Sequence, residues 1–209
     1  MKRALPLIVV VALWGCKASV PPNVVQEWQT RTLYTCCNIH YETADISDAN
    51  YFVGSTLPFG SPVKVDTMTP TSMTITSGPT KLSLYQNYGR NQESSQQYFS
   101  KIFVDTDPTT RFESYSSPVR EAIRAGRVEV GMTRDQVLMS LGYPPTHQTA
   151  SIDADTWNYW YNRWKTYQVK FGANGKVESV LGGGPTSNQP IVEPTPAPAK
   201  PAKPAKKKK

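Results

Sequence analysis

The sequence predicts an α+β chain in which a small β-rich domain, residues 33–112, precedes a two-layer αα-βββ domain, residues 113–183. Three observations carry this. Short runs rich in Thr, Val, Tyr and Ile recur between turn signals through the first half. Two helix-capping patterns then stand close together between residues 117 and 142. Three period-2 runs follow, the last two joined by Asn174-Gly175, a hairpin dipeptide.

The chain opens with Lys2 and Arg3, then an apolar run from Ala4 to Leu13, then Trp14-Gly15-Cys16. This is the layout of a secretory signal peptide. The run is about ten residues, roughly half of what a membrane-spanning helix needs. Its end resembles the bacterial lipobox, which implies removal of residues 1–15 and lipidation, by palmitate among other chains, at Cys16. Residues 16–32 then read as a lipidated linker. Lys17 rather than Asp after the cysteine resembles lipoproteins of the outer membrane, which implies an anchored chain facing the periplasm.

Net charge is +7 over 209 residues, but it is unevenly placed. Residues 190–209 hold six Lys against one Glu, which leaves the body close to neutral. The basic balance therefore reports a tail and not a binding face, and nucleic acid is not an expected partner. Cys36 and Cys37 are adjacent and cannot staple a loop; a strained vicinal disulfide stays open to them, and an apolar-packed pair is the expected reading. With His40 they fall short of the four ligands a zinc site wants, so no metal or other cofactor is expected.

In the first domain, Leu33–Tyr41, Asn50–Gly54, Pro62–Val65, Ser72–Thr76 and Lys81–Tyr85 read as strands. The last two flank Ser77-Gly78-Pro79, a hairpin turn. Glu93–Phe103 reads as a helix. The order Gly54, Leu57-Pro58, Gly60, Pro62-Val63-x-Val65 resembles small SH3-like barrels of bacterial envelopes.

In the second domain, Ser117 is placed to cap a helix with Pro118 at its start. Val119, Ala122 and Ile123 form its apolar stripe, and Gly126 ends it. Thr133 and Gln136 form a capping box, with Met132 and Val137 at hydrophobic-staple spacing. Val137, Leu138 and Leu141 point inward, Gly142 stops the helix, and Pro144-Pro145 forbid its return. Three strands follow: Asp155–Tyr161, Thr166–Phe171 and Lys176–Leu181. A two-residue turn at Asn162-Arg163 would set the aromatic face of the first against the polar face of the second. A longer connection or a bulge at 162–164 aligns the two aromatic faces and is expected.

Val130-Gly131-Met132-Thr133, Val137, Leu141-Gly142, Pro144, Trp157, Tyr159, Val169, Phe171 and Gly175-Lys176-Val177 together resemble the BamE/SmpA family of outer-membrane lipoproteins. That resemblance implies two helices on a three-stranded antiparallel sheet. It also implies an accessory or scaffold role beside the proteins that assemble outer-membrane β-barrels.

No nucleophile–base pattern, metalloprotease helix motif or phosphate loop occurs, so an enzyme is not expected. Trp160, Arg163 and Trp164 are the candidate partner contacts, because tryptophan and arginine dominate interface hot spots. Packing of Trp160 under the helices or against the first domain is the competing reading. Residues 184–209 read as a disordered Pro/Ala/Lys tail. Its Lys200, Lys203, Lys206, Lys207, Lys208 and Lys209 serve either solubility or contact with an anionic surface. A second functional class stays open: a module binding peptidoglycan, anionic lipid or other anionic polymer through the β domain and tail.

Overall fold

The computed structural model describes residues 19–88 and 93–187. Cys16 and the six tail lysines lie outside these residues. Within the stretch read as a linker, Pro22–Thr30 forms a helix, α1. Proline at its first position loses no hydrogen bond. Trp28 drives α1 into the first core at 1% exposure, and the Arg31 guanidinium lies 4.5 Å above its ring. Only Val24 and Trp28 form its apolar stripe, too thin a signal to read.

The first domain contains β1 (Leu33–Thr35), β2 (Ile39–Tyr41), β3 (Asp45–Ser47), β4 (Ser55–Leu57), β5 (Pro62–Met68), β6 (Ser72–Ser77), β7 (Thr80–Tyr85), α2 (Ser95–Ile102) and β8 (Phe103–Val104). A curled six-stranded sheet runs β3-β7-β6-β5-β1-β8, and β2 pairs with β4 apart from it. The β6–β7 hairpin turns at Gly78 as the sequence predicts. The single strand expected over Leu33–Tyr41 is broken. Cys36 N–H bonds to Ile102 within the first domain, whereas Asn38 N–H bonds to Met139 in the second. The chain changes partner there, so one strand becomes β1 and β2. Asn50–Gly54 is also not a strand. Asn50 takes a positive φ of 50°, and only Tyr51 makes an isolated bridge, to Trp160.

Short α3 (Thr109–Glu113) crosses the expected boundary between residues 112 and 113 and buries Phe112 in the second core, so the second domain begins with it; α4 (Ser117–Arg124), α5 (Arg134–Leu141), β9 (Thr156–Asn162), β10 (Lys165–Phe171) and β11 (Val177–Leu181) follow. Its strands form an antiparallel sheet in the order β11-β10-β9. The αα-βββ order is thus present, with short α3 before it. The cap of α4 is Ser116, one residue before the expected Ser117, whose hydroxyl instead donates to Glu121. The Thr133–Gln136 capping box forms, and Gly142 closes α5 at φ 75°. Met139, not Leu138, is fully buried on α5, because this helix is covered on two sides.

The register of β9 and β10 carries the expected bulge. Asn162 pairs with Lys165 and Trp160 with Thr166, so Tyr161 has no opposite number. This brings Tyr159 opposite Tyr167 and Trp157 opposite Val169 on one face. The two tyrosine rings stack at 5.4 Å. With Phe171 and the α4 and α5 stripes they form the second core. Among the described residues no helix is long and apolar enough to cross a membrane.

Candidate interaction surface

The two domains meet along the C-terminal ends of α4 and α5. A helix leaves its last four carbonyls without intrahelical partners. For α5 these are Leu138 to Leu141, and three of the four are served from the first domain. Gly142 N–H takes Leu138 at 2.8 Å, and Asn38 N–H takes Met139 at 3.0 Å. The Asn38 side-chain amide donates to Ser140 at 3.1 Å and also to Ile123, at the end of α4, at 2.8 Å. The Asn50 amide donates to Leu141 and, beyond the helix, to Tyr143, each at 2.9 Å. Asn38 Oδ1 accepts from Phe59 N–H at 3.1 Å, which completes a buried network.

His40 stands beside this network. Its Nδ1 lies 3.1 Å from the Thr56 hydroxyl, its ring packs 4.7 Å from Phe52, and its Nε2 is buried without a hydrogen bond. Burial pushes its pKa down to about 4, opposed only weakly by the Ser140 carbonyl, so the ring is neutral in the folded protein. Cys36 and Cys37 are bonded to each other as a vicinal disulfide, not packed as the free apolar pair the sequence suggested. Among the described residues no group of three or more His, Cys, Asp and Glu side chains could hold a metal ion.

A cleft opens along the seam between Ile46, Leu84 and Ile102 on one side and Pro144 to His147 on the other. Its volume of about 40 Å³ holds roughly three waters. Burial raises the Asp48 carboxyl and the Tyr98 phenol, the latter further by the nearby Asp48 and Glu93 charges. Burial lowers His147, against the pull of Asp48. These groups hold structure. Asp48 accepts from the N–H groups of Asn87 and Tyr88. Glu93 accepts from the Thr146 hydroxyl and pairs with Lys101.

The candidate residues Trp160, Arg163 and Trp164 separate into two places. Trp160 faces the seam: its ring packs 6.4 Å from Tyr51 and 6.1 Å from Tyr88, and its carbonyl accepts from Phe52 N–H. Arg163 and Trp164 form the tip of the β9–β10 hairpin, and Arg163 also lines a cleft with Tyr51 and Val53 of the first domain. Asn162 Oδ1 holds that tip by accepting from Trp164 N–H at 2.9 Å and Lys165 N–H at 3.0 Å. Lys165 Nζ sits 5.2 Å above the Tyr161 ring. Trp164 is 85% exposed, more than any other large apolar side chain described. The tip is thus a hydrogen-bonded turn presenting an uncovered indole next to a cation. Sequence reasoning missed Asn38 and Asn50; the one available signal was an amide in a stretch otherwise read as strand, where Asn is depleted.

Residues 119–180 match the family model of the outer membrane protein assembly factor BamE domain. No curated protein and no solved structure matches the chain. The BamE match runs from Val119 in α4 to Val180 in β11, so it takes in most of α4, all of α5, β9 and β10, and β11 up to its last residue. Arg163 and Trp164 fall inside it. Asn38, Asn50, Tyr51 and Tyr88, which line the seam, fall outside it. So do residues 182–187, which cross back over the BamE domain: Pro185 accepts from Val128 N–H, and Thr186 and Ser187 both donate to Glu129. In this chain the matched residues are flanked and capped by segments that lie outside the match.

Proposed function

We propose that the protein is a lipid-anchored, non-catalytic accessory of outer-membrane protein assembly. The observation that supports this reading is the BamE match, which runs from α4 through α5 and the three-stranded sheet into β11. In this reading Cys16 carries the lipid and holds the chain at the periplasmic face of the outer membrane. The hairpin tip, Arg163 with Trp164, is the contact for a β-barrel assembly protein. An exposed indole beside a guanidinium suits that use, because such side chains give most energy per residue when a partner covers them. The first domain sets the height and angle of that tip through the seam. The tail lysines add attraction to anionic lipid, at about 1 kcal/mol each near such a surface.

The test is crosslinking in intact cells, followed by affinity purification and mass spectrometry, with Cys16→Ala as the comparison. The expected result is co-purification of outer-membrane barrel-assembly proteins with the wild-type chain and their loss from the variant. Wild-type chain that brings down no barrel-assembly protein overturns the reading.

A further inference from the structure

We propose that the Cys36–Cys37 disulfide is a thiol–disulfide exchange site for small thiols, entered through Cys36 and coupled to the domain seam through Asn38. The bond joins sequence neighbours. It closes no loop of chain, so the usual gain from a constrained unfolded state is absent. What it constrains is local: the link between β1 and β2, where the backbone passes from the first domain to the second. Cys36 N–H is bonded to Ile102 at 2.8 Å and Asn38 N–H to Met139 at 3.0 Å, so the two cysteines sit between those anchors. Asn38, the next residue, serves both helix ends.

The two sulfurs have different access. Cys37 is 2% exposed and lines the seam cleft. Cys36 is half-buried and lines a separate open groove of about 630 Å³ on the outer side, between Phe103 and Arg111. The groove's cations are ion-paired, Arg31 with Asp105 at 2.8 Å and Arg111 with Asp135 at 3.7 Å. Selection is therefore by access more than by charge, and Cys36 is the sulfur an incoming thiolate reaches.

The exchange balances with two equivalents of a monothiol. The first, as thiolate, attacks Cys36 Sγ; the bond to Cys37 breaks, and Cys37 leaves with the electron pair and takes a proton. A second thiolate attacks the added sulfur, releasing the external disulfide and leaving Cys36 as a thiol. The protein gains two electrons and two protons, and two thiols become one disulfide. In an oxidising envelope compartment the bonded form persists until such a reductant arrives. Reduction opens the constraint next to Asn38 and weakens its hold on α4 and α5.

The experiment uses the full chain. Cells are quenched in acid and alkylated with N-ethylmaleimide, and the peptide spanning residues 32–64 is weighed. The expected peptide carries no maleimide before reduction and two after treatment with glutathione. Two maleimides without reduction overturn the proposal. Hydrogen exchange then compares the oxidised and glutathione-reduced chain. The expected change is at least a tenfold faster exchange at Asn38 N–H with none in the β6–β7 hairpin; equal rates overturn the coupling. Glutathione disulfide is finally offered to Cys37→Ala and Cys36→Ala. The expected adduct forms on Cys36 at least tenfold faster than on Cys37, and equal rates overturn the assignment of Cys36 as the entry.

Discussion

The side-chain amide of Asn38 donates to the Ser140 carbonyl at 3.1 Å, and that bond ties the first domain to the last turn of α5. It is one member of a complete accounting. Each of the four carbonyls that α5 leaves open has a donor, and Asn38 with Asn50 supplies three of them. A helix end buried without partners costs about 1–3 kcal/mol for each orphaned group. The second domain therefore depends on the first for its helix ends. The seam is a structural joint and not a loose contact between independent units.

Asn38→Ala removes two side-chain donations and one acceptance at a site that is 3% exposed. The expected loss is about 3 kcal/mol, in the range for a broken buried polar network. Urea unfolding at neutral pH measures it. Asn50 is less buried and its alanine variant is expected to cost about half as much. A loss under about 1 kcal/mol for Asn38→Ala would mean that water replaces the amide and that the seam is not a joint.

His40 gives the fold a pH dependence with a definite sign. Its folded pKa is about 4, below the ordinary value near 6.5, so between those limits the unfolded chain binds the proton and the folded chain does not. The His40 contribution is intact above pH 6.5 and is lost as pH falls toward 4. The loss is about 2 kcal/mol by roughly pH 5 and about 3 kcal/mol at the lower end. Urea midpoints of wild type and His40→Asn at neutral pH and at pH 5 isolate the part that belongs to this ring. If both chains lose the same stability, His40 is not the group responsible.

The α5 helix and the β9–β10 register were legible because their signals are local. A capping box, a staple and a stop glycine lie between Met132 and Gly142, and the bulge follows from which faces of two adjacent strands are aromatic. The seam was not legible because its signal is a pairing across about a hundred residues, between an amide near residue 38 and carbonyls near residue 140. Backbone carbonyls leave no mark in sequence. The same reason hid the split of Leu33–Tyr41, whose composition is strand-like throughout while its partners change. β3 and β8 are three and two residues long, too short for period-2 alternation to register. Trp160 and Trp164 illustrate the limit at the candidate surface. Their residue type and spacing put both on one hairpin, but only the position of Tyr51 and Tyr88 tells which is covered.

That difference predicts opposite outcomes for the two tryptophans. Trp164→Ala is expected to change stability by less than about 0.5 kcal/mol, as surface substitutions do, and to abolish crosslinks from the hairpin tip to its partner. Trp160→Ala removes the ring that Tyr51 and Tyr88 pack on and is expected to cost about 2 kcal/mol. Thermal unfolding and in-cell crosslinking on both variants separate the roles. A Trp164→Ala chain that crosslinks as wild type removes the tip from the interaction surface.

The start of the segment read as a disordered tail is instead packed. Gly184 passes so close to the sheet that a Cβ there would lie 2.5 Å from Tyr167 Cδ2 and 2.9 Å from Val180 Cγ1. Tyr167 cannot yield, because it is 2% exposed and stacked on Tyr159. Beyond Gly184 the chain is pinned on Glu129, which is 4% exposed, pairs with Arg127 at 3.2 Å, and accepts from Thr186 and Ser187. Gly184→Ala therefore forces the strap off the sheet and is expected to cost about 1–3 kcal/mol, the range for overpacking. Glu129→Ala is expected to release the strap from its other end. In both variants the Val128 N–H, which donates to Pro185 at 2.8 Å, loses its partner and should exchange faster with solvent. Since the tail lysines follow this strap, loosening it frees the point from which the tail departs without touching Arg163 or Trp164. An unchanged Val128 exchange rate in Gly184→Ala would mean that the strap does not hold the domain edge.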